Sequence, residues 1–133
     1  MNNEFDEIKR LAGEAFGAAC VPRGGKAFSL VFDEGTVSFA EIPGDPVLAL
    51  VRTRVLDLNG IARKGGLALA ALEGNFFWSG TNGGTLSAGD DGALWLTERR
   101  SVAELAAPGG LAACLSDLAE TVAAWRERGA LHE

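Results

Sequence analysis

Residues 27–42 read AFSLVFDEGTVSFAEI. Phe28, Leu30 and Phe32 recur at every second position, and Val37 and Phe39 do the same after the break. A period of two puts such residues on one face of a strand. Asp33-Glu34-Gly35 between the two runs is a tight-turn signal, because glycine tolerates the backbone angles that short hairpin connections need. The stretch therefore predicts a β-hairpin. PGDP, residues 43–46, breaks the chain again, and VLALVRTRVLDL, residues 47–58, follows with the β-branched content of a long strand. Three consecutive strands pair most simply as an antiparallel sheet.

Upstream the period changes. Phe5, Ile8, Leu11, Ala12, Ala15 and Phe16 fall at steps of three and four, the apolar stripe of a helix running to about Ala19. Asn3 is placed to cap it, and Glu4, Asp6 and Glu7 suit the positive end of its dipole. VPRGG, residues 21–25, stops it. Downstream, Asn59-Gly60 is a break, and residues 61–78 read as a second helix, with Gly65 and Gly66 weakening its first turns so that it could begin as late as Leu67. GTLSAGDDGALWLTERR, residues 84–100, predicts a second hairpin turning at Gly89-Asp90-Asp91-Gly92. Ser101 and Glu104 have capping-box spacing for a short helix. After Pro108-Gly109-Gly110, a last helix carries Leu111, Cys114, Leu115, Leu118, Val122 and Trp125, has Arg126 and Arg128 in its final turn, and is expected to end at Gly129.

The predicted order is α-β-β-β-α-β-β-α, with a twisted antiparallel sheet and three main helices. Strands in runs rather than in βαβ alternation define the α+β class. The chain has no repeat, no low-complexity tract and no linker, and its 133 residues suit one domain over 1–133.

Composition narrows the function. A formal net charge of -6 works against nucleic acid, whose binders need a basic face, and against anionic membrane surfaces. No stretch approaches the ~20 apolar residues of a membrane span. The opening MNNEFDEIKR lacks the basic flank and apolar run of a signal peptide, so a cytoplasmic protein is expected. Cys20 and Cys114 read as free thiols of a reducing compartment.

Residues for chemistry are scarce. The single histidine, His132, is next to the last residue. Neither cysteine has a histidine partner, and no His/Cys cluster has zinc spacing. Arg63-Lys64-Gly65-Gly66 and Gly80-Thr81-Asn82-Gly83-Gly84 resemble phosphate loops but lack the GxxxxGK[ST] pattern. Asp90 and Asp91 suit a turn better than a cation site. No catalytic residue, metal or cofactor is expected.

What stands out is apolar surface. Val31, Ala40, Ile42 and Trp95 have the opposite parity from their neighbours, so the sheet carries apolar residues on both faces. Such patches mark interaction sites, although ordinary core is the competing reading for Phe28, Leu30 and Phe32. The second helix is apolar nearly all round. Leu67, Leu69, Leu72, Phe76, Phe77 and Trp78 exceed what one side of one sheet can bury, so a homodimer interface is expected there.

These features resemble the class I chaperones of bacterial type III secretion. The likeness is clearest in residues 67–100, LALAALEGNFFWSGTNGGTLSAGDDGALWLTERR. There a helix carrying Leu72 and Asn75 is followed by a small-residue loop with Gly80 and Gly83. A strand with Thr85 and Leu86 comes next, then an Asp91-Gly92 turn, then a strand with Leu94 and Leu96 ending at Arg99. ETVAAWRERGAL, residues 120–131, is similar to the family's closing helix. The resemblance implies a cytoplasmic bacterial homodimer, not an enzyme. It would bind the extended N-terminal segment of a secreted effector and keep it soluble and export-competent. The second helix and its neighbouring strand would form the dimer interface. The first helix and outer strands would hold the effector through Phe5, Ile8, Phe28, Leu30, Phe32, Val37, Phe39 and Trp95. A homodimeric interaction or regulatory domain of the same fold, unrelated to secretion, is the alternative.

Overall fold

The computed structural model describes residues 4–33, 35–60, 64–75, 84–88 and 91–131. Six strands form one sheet in the order β1-β2-β3-β4-β6-β5. They are β1 (Cys20–Pro22), β2 (Ala27–Phe32), β3 (Gly35–Ile42), β4 (Leu48–Asp57), β5 (Thr85–Ala88) and β6 (Ala93–Ser101). The helices are α1 (Glu4–Phe16), α2 (Lys64–Asn75), α3 (Val102–Ala106) and α4 (Gly110–Leu131). The class is α+β, as the strand runs predict. By contact the chain divides into two compact units, Met1–Thr53 with Arg99–Leu115, and Arg54–Glu98 with Ser116–Glu133.

The first unit is built on the opening hairpin. β2 and β3 pair antiparallel with Phe28 opposite Phe39 and Leu30 opposite Val37. β3 pairs with β4 with Phe39 opposite Val51 and Val37 opposite Thr53. Directly opposed residues share a face, so Phe28, Phe39 and Val51 form one buried row. α1 lies on this face: Phe5 is 5.7 Å from Phe28, and Phe28 stacks on Phe39 at 4.8 Å. Phe5, Ile8 and Ala12 are fully buried, as the stripe predicts. α1 also packs against α3, whose N-cap Ser101 accepts the Glu104 amide at 3.4 Å, half of the capping box. Gly110 opens α4 tightly against α3; a Cβ there would stand 1.9 Å from the Glu104 carbonyl oxygen.

The second unit holds the end of β4, α2, β5, most of β6 and the rest of α4. β5 and β6 pair antiparallel with Leu86 opposite Leu96. Val55, Leu67, Leu86, Leu96, Leu118 and Trp125 are buried in it. Arg126 does not serve the helix end: its Nε donates to the Val55 carbonyl at 2.7 Å, while the Arg128 guanidinium lies 4.8 Å from the Trp125 ring centre.

Three local readings are corrected. α1 stops at Phe16 rather than near Ala19, because Gly17 turns the chain at φ 55 into a 3-10 turn, Gly17–Ala19. VPRGG does not only break the helix; Cys20–Pro22 pairs with β2 as a short edge strand, too brief for a period to register. α4 runs through Gly129 to Leu131, since that glycine keeps helical backbone. The cap at Asn3 and the second hairpin's turn at Gly89-Asp90 lie outside the described residues.

Candidate functional site

The surfaces to be weighed are the margin of α1, the open sheet face and the α2–β5 edge. At the first, the expected partner-facing residues differ in how deeply they are buried. Phe5, Ile8, Phe28 and Leu30 are fully buried and Phe39 is 1% exposed in the single chain. The amphipathic α1 closes over that face and makes it core. Phe32 and Val37 stay half-buried. Phe32 meets Phe16 edge-on, ring centres 5.5 Å apart, at the C-terminal end of α1. Phe16 is half-buried as well, so this aromatic pair leaves apolar surface at the α1 margin. The helix pattern named Phe16 only as part of a stripe; that it lies at the rim required the position of β2.

Trp95 is also half-buried. Its indole Nε1 donates to Asp91 Oδ1 at 3.4 Å, and Asp91 Oδ1 also accepts the Ala93 amide at 3.0 Å. With Arg54 at 3.9 Å, these partners hold the Asp91 carboxyl below its ordinary range, the Ala93 amide contributing most. Gly92 completes the corner at φ 80, where a Cβ would stand 2.5 Å from Asn59 Nδ2. Asp91 and Gly92 thus shape a turn, as the sequence reading preferred over a cation site. Among the described residues no group of three His, Cys, Asp or Glu side chains could hold a metal ion.

The sheet face opposite α1 is open. Val31 on it is 41% exposed. A groove of ≈ 340 Å³ runs over Ala27, Ser29, Ser38, Ala40, Leu50, Arg23 and Arg52, with Phe28 and Phe39 also in its lining. Cys20, on the edge strand β1, is a free thiol that burial pushes up in pKa.

At α2, Leu67 is fully buried within its own chain, whereas Leu72 is 69% exposed. Phe76, Phe77 and Trp78 and the side chain of Leu69 lie outside the described residues. Asn75 fixes the helix to β5: its Nδ2 donates to the Leu86 carbonyl at 2.9 Å and its Oδ1 accepts the Leu86 amide at 2.8 Å. β5 ends the sheet order, so the carboxamide satisfies the backbone groups that a further strand would pair. Asn75→Ala should lower the unfolding free energy by about 1–3 kcal/mol, because both part-buried groups lose their partner. Denaturant midpoints and faster exchange of the Leu86 amide would show it; an unchanged midpoint would mean the pair is solvated without loss.

The chain belongs to the Tir chaperone protein (CesT) family, whose model matches residues 22–126. No curated protein sequence matches it. Among solved structures, a chain of the ExsC–ExsE complex aligns with a TM-score of 0.70 at 17% identity, over 92% of this chain and 90% of that one. The Yersinia pestis type III secretion chaperone SycH, solved with a stable fragment of YscM2, aligns at 0.59 and 12% identity, over 98% and 100%. The family match makes this a chaperone-family protein, and the two solved structures share its fold.

Proposed function

We propose that the protein acts as a cytoplasmic homodimer that holds the extended N-terminal segment of a secreted effector. The segment would lie along the rim of α1 and the outer strands, covering its own aggregation-prone side chains while it waits for export. The observation that carries this reading is the half-buried Phe16–Phe32 pair, apolar surface left at the margin of an otherwise closed core. Phe32, Val37 and Trp95 are the residues of the expected set with surface to offer. Binding of this kind needs no catalytic group and no cofactor, and it draws on apolar burial of ~25 cal/mol per Å². No described helix is long and apolar enough to cross a membrane.

Co-expression with the product of the adjacent gene tests the reading. The chaperone should copurify with a disordered N-terminal fragment of that product and keep it soluble. Phe32→Asp should reduce capture at least tenfold while the fold persists. A fragment that is equally soluble alone, or that never copurifies, would leave the protein as an interaction module unconnected with export.

A further inference from the structure

We propose that the open sheet face recognises an extended partner segment in which an aspartate or glutamate stands two residues from an apolar side chain, the carboxylate being held by Arg23. This rests on the chaperone reading and specifies the kind of segment the groove would take.

The strand register arranges the groove in rungs. Ser29 is opposite Ser38, and Ser38 opposite Arg52, so these three share a row across β2, β3 and β4. The next row on the same face is Ala27, Ala40 and Leu50, by the same pairings. One rung is polar and cationic; its neighbour is apolar. Residues two apart in a strand are separated by about 7 Å, and so are the side chains at i and i+2 of an extended ligand. A ligand running along the strands therefore presents successive same-side residues to successive rungs.

Arg23 is set in place for an anion. Its Nε donates to Ser29 Oγ at 3.0 Å, and Ser29 Oγ lies 3.2 Å from Ser38 Oγ. Ser29 is only 2% exposed, so this anchor is sheltered from water. The bond uses Nε and leaves the two terminal nitrogens of the guanidinium for a ligand. Among the described residues no carboxylate pairs with Arg23. Arg52 closes the other end of the rung, its Cα about 10 Å from that of Ser29 across two strand spacings. None of the residues lining the groove is acidic, in a chain of net charge -6. The groove is thus a local reversal of the protein's sign, and a guanidinium fork matches a carboxylate in both geometry and charge.

The test uses the isotope-labelled full chain and two capped peptides, Ac-Ser-Asp-Ser-Val-Ser-NH2 and Ac-Ser-Val-Ser-Asp-Ser-NH2, each with a twin carrying Asn for Asp. At least one aspartate peptide should give saturable amide shifts at Ser29, Ser38 and Ala40. Its Asn twin should bind about tenfold more weakly, the value of a charge-assisted pair. Added salt should erode the difference. Arg23→Gln should abolish the preference while the oligomeric state stays as in the wild type. Equal binding of the twins, absence of binding, or shifts confined to other surfaces would overturn the proposal. A changed oligomeric state in Arg23→Gln would assign the face to a second copy and overturn it too. Equal capture of the secreted partner by wild type and Arg23→Gln would sink the groove assignment alone. A peptide preference without any captured partner would sink the secretion role alone.

Discussion

Phe28→Ala is expected to cost about 3–5 kcal/mol of unfolding free energy, the usual range for emptying an aromatic site in a core. Phe28 is fully buried. It stacks on Phe39 at 4.8 Å and meets Phe5 of α1 at 5.7 Å, so its ring joins the helix layer to the sheet. Alanine would leave a cavity walled by two aromatic rings held on different elements. Neither can collapse into it without moving a strand or the helix. Against the ~5–15 kcal/mol that keeps a domain folded, such a loss is a large fraction. Denaturant unfolding measures it, with Val31→Ala as the comparison. Val31 follows on the same strand but faces away and is 41% exposed, so its truncation should stay within about 0.5 kcal/mol. Similar costs for the two variants would refute the assignment of faces. The functional consequence follows from this: Phe28→Ala should lose partner capture by unfolding.

Leu72→Glu is expected to convert the proposed dimer to monomer without unfolding it. Leu72 is 69% exposed in the single chain, so the protomer spends little stability on it. In an isologous dimer the same residue is buried twice. Two leucines at about 2 kcal/mol each correspond to roughly a thousandfold in the dissociation constant. Two buried glutamates would add a desolvation cost. Sedimentation or light scattering over a micromolar dilution series reads the change, and circular dichroism confirms the fold. Leu67→Glu is the instructive contrast. Leu67 is fully buried in its own chain, so that variant should fail to fold rather than dissociate. A Leu72→Glu protein that remains a dimer of wild-type affinity would move the interface away from this face of α2.

The resemblance to secretion chaperones marks Asn75 by position alone. Its role emerges from the structure, where the carboxamide pairs with the Leu86 backbone across an 11-residue gap in sequence. No local pattern signals such a contact, because it depends on where β5 lies relative to the end of α2. The same holds for Arg23. In the sequence it belongs to a helix-stopping VPRGG; in the fold it anchors to Ser29 beside a row that ends in Arg52. Arg126 behaves differently. A basic residue near a helix end suggested a dipole partner, yet its guanidinium donates to the Val55 carbonyl, since a specific acceptor within reach outweighs a diffuse field.

Local periodicity was enough to determine most of this protein's elements. Period two marked β2, β3 and β6; β-branched content marked β4; steps of three and four marked α1; glycine and proline clusters marked the breaks between them. Those signals are intrinsic to a few neighbouring residues, which is why they survive in one sequence. They also sorted the strand residues into two sets by parity. They could not say which set becomes core, because parity is symmetric and both sets contain apolar side chains. The tertiary structure decided that. α1 settled on the Phe28–Phe39–Val51 row and took it out of water, leaving the Ser29–Ser38–Arg52 row on the open face. Burial is a property of what packs above a residue, and a helix distant in the chain supplied it.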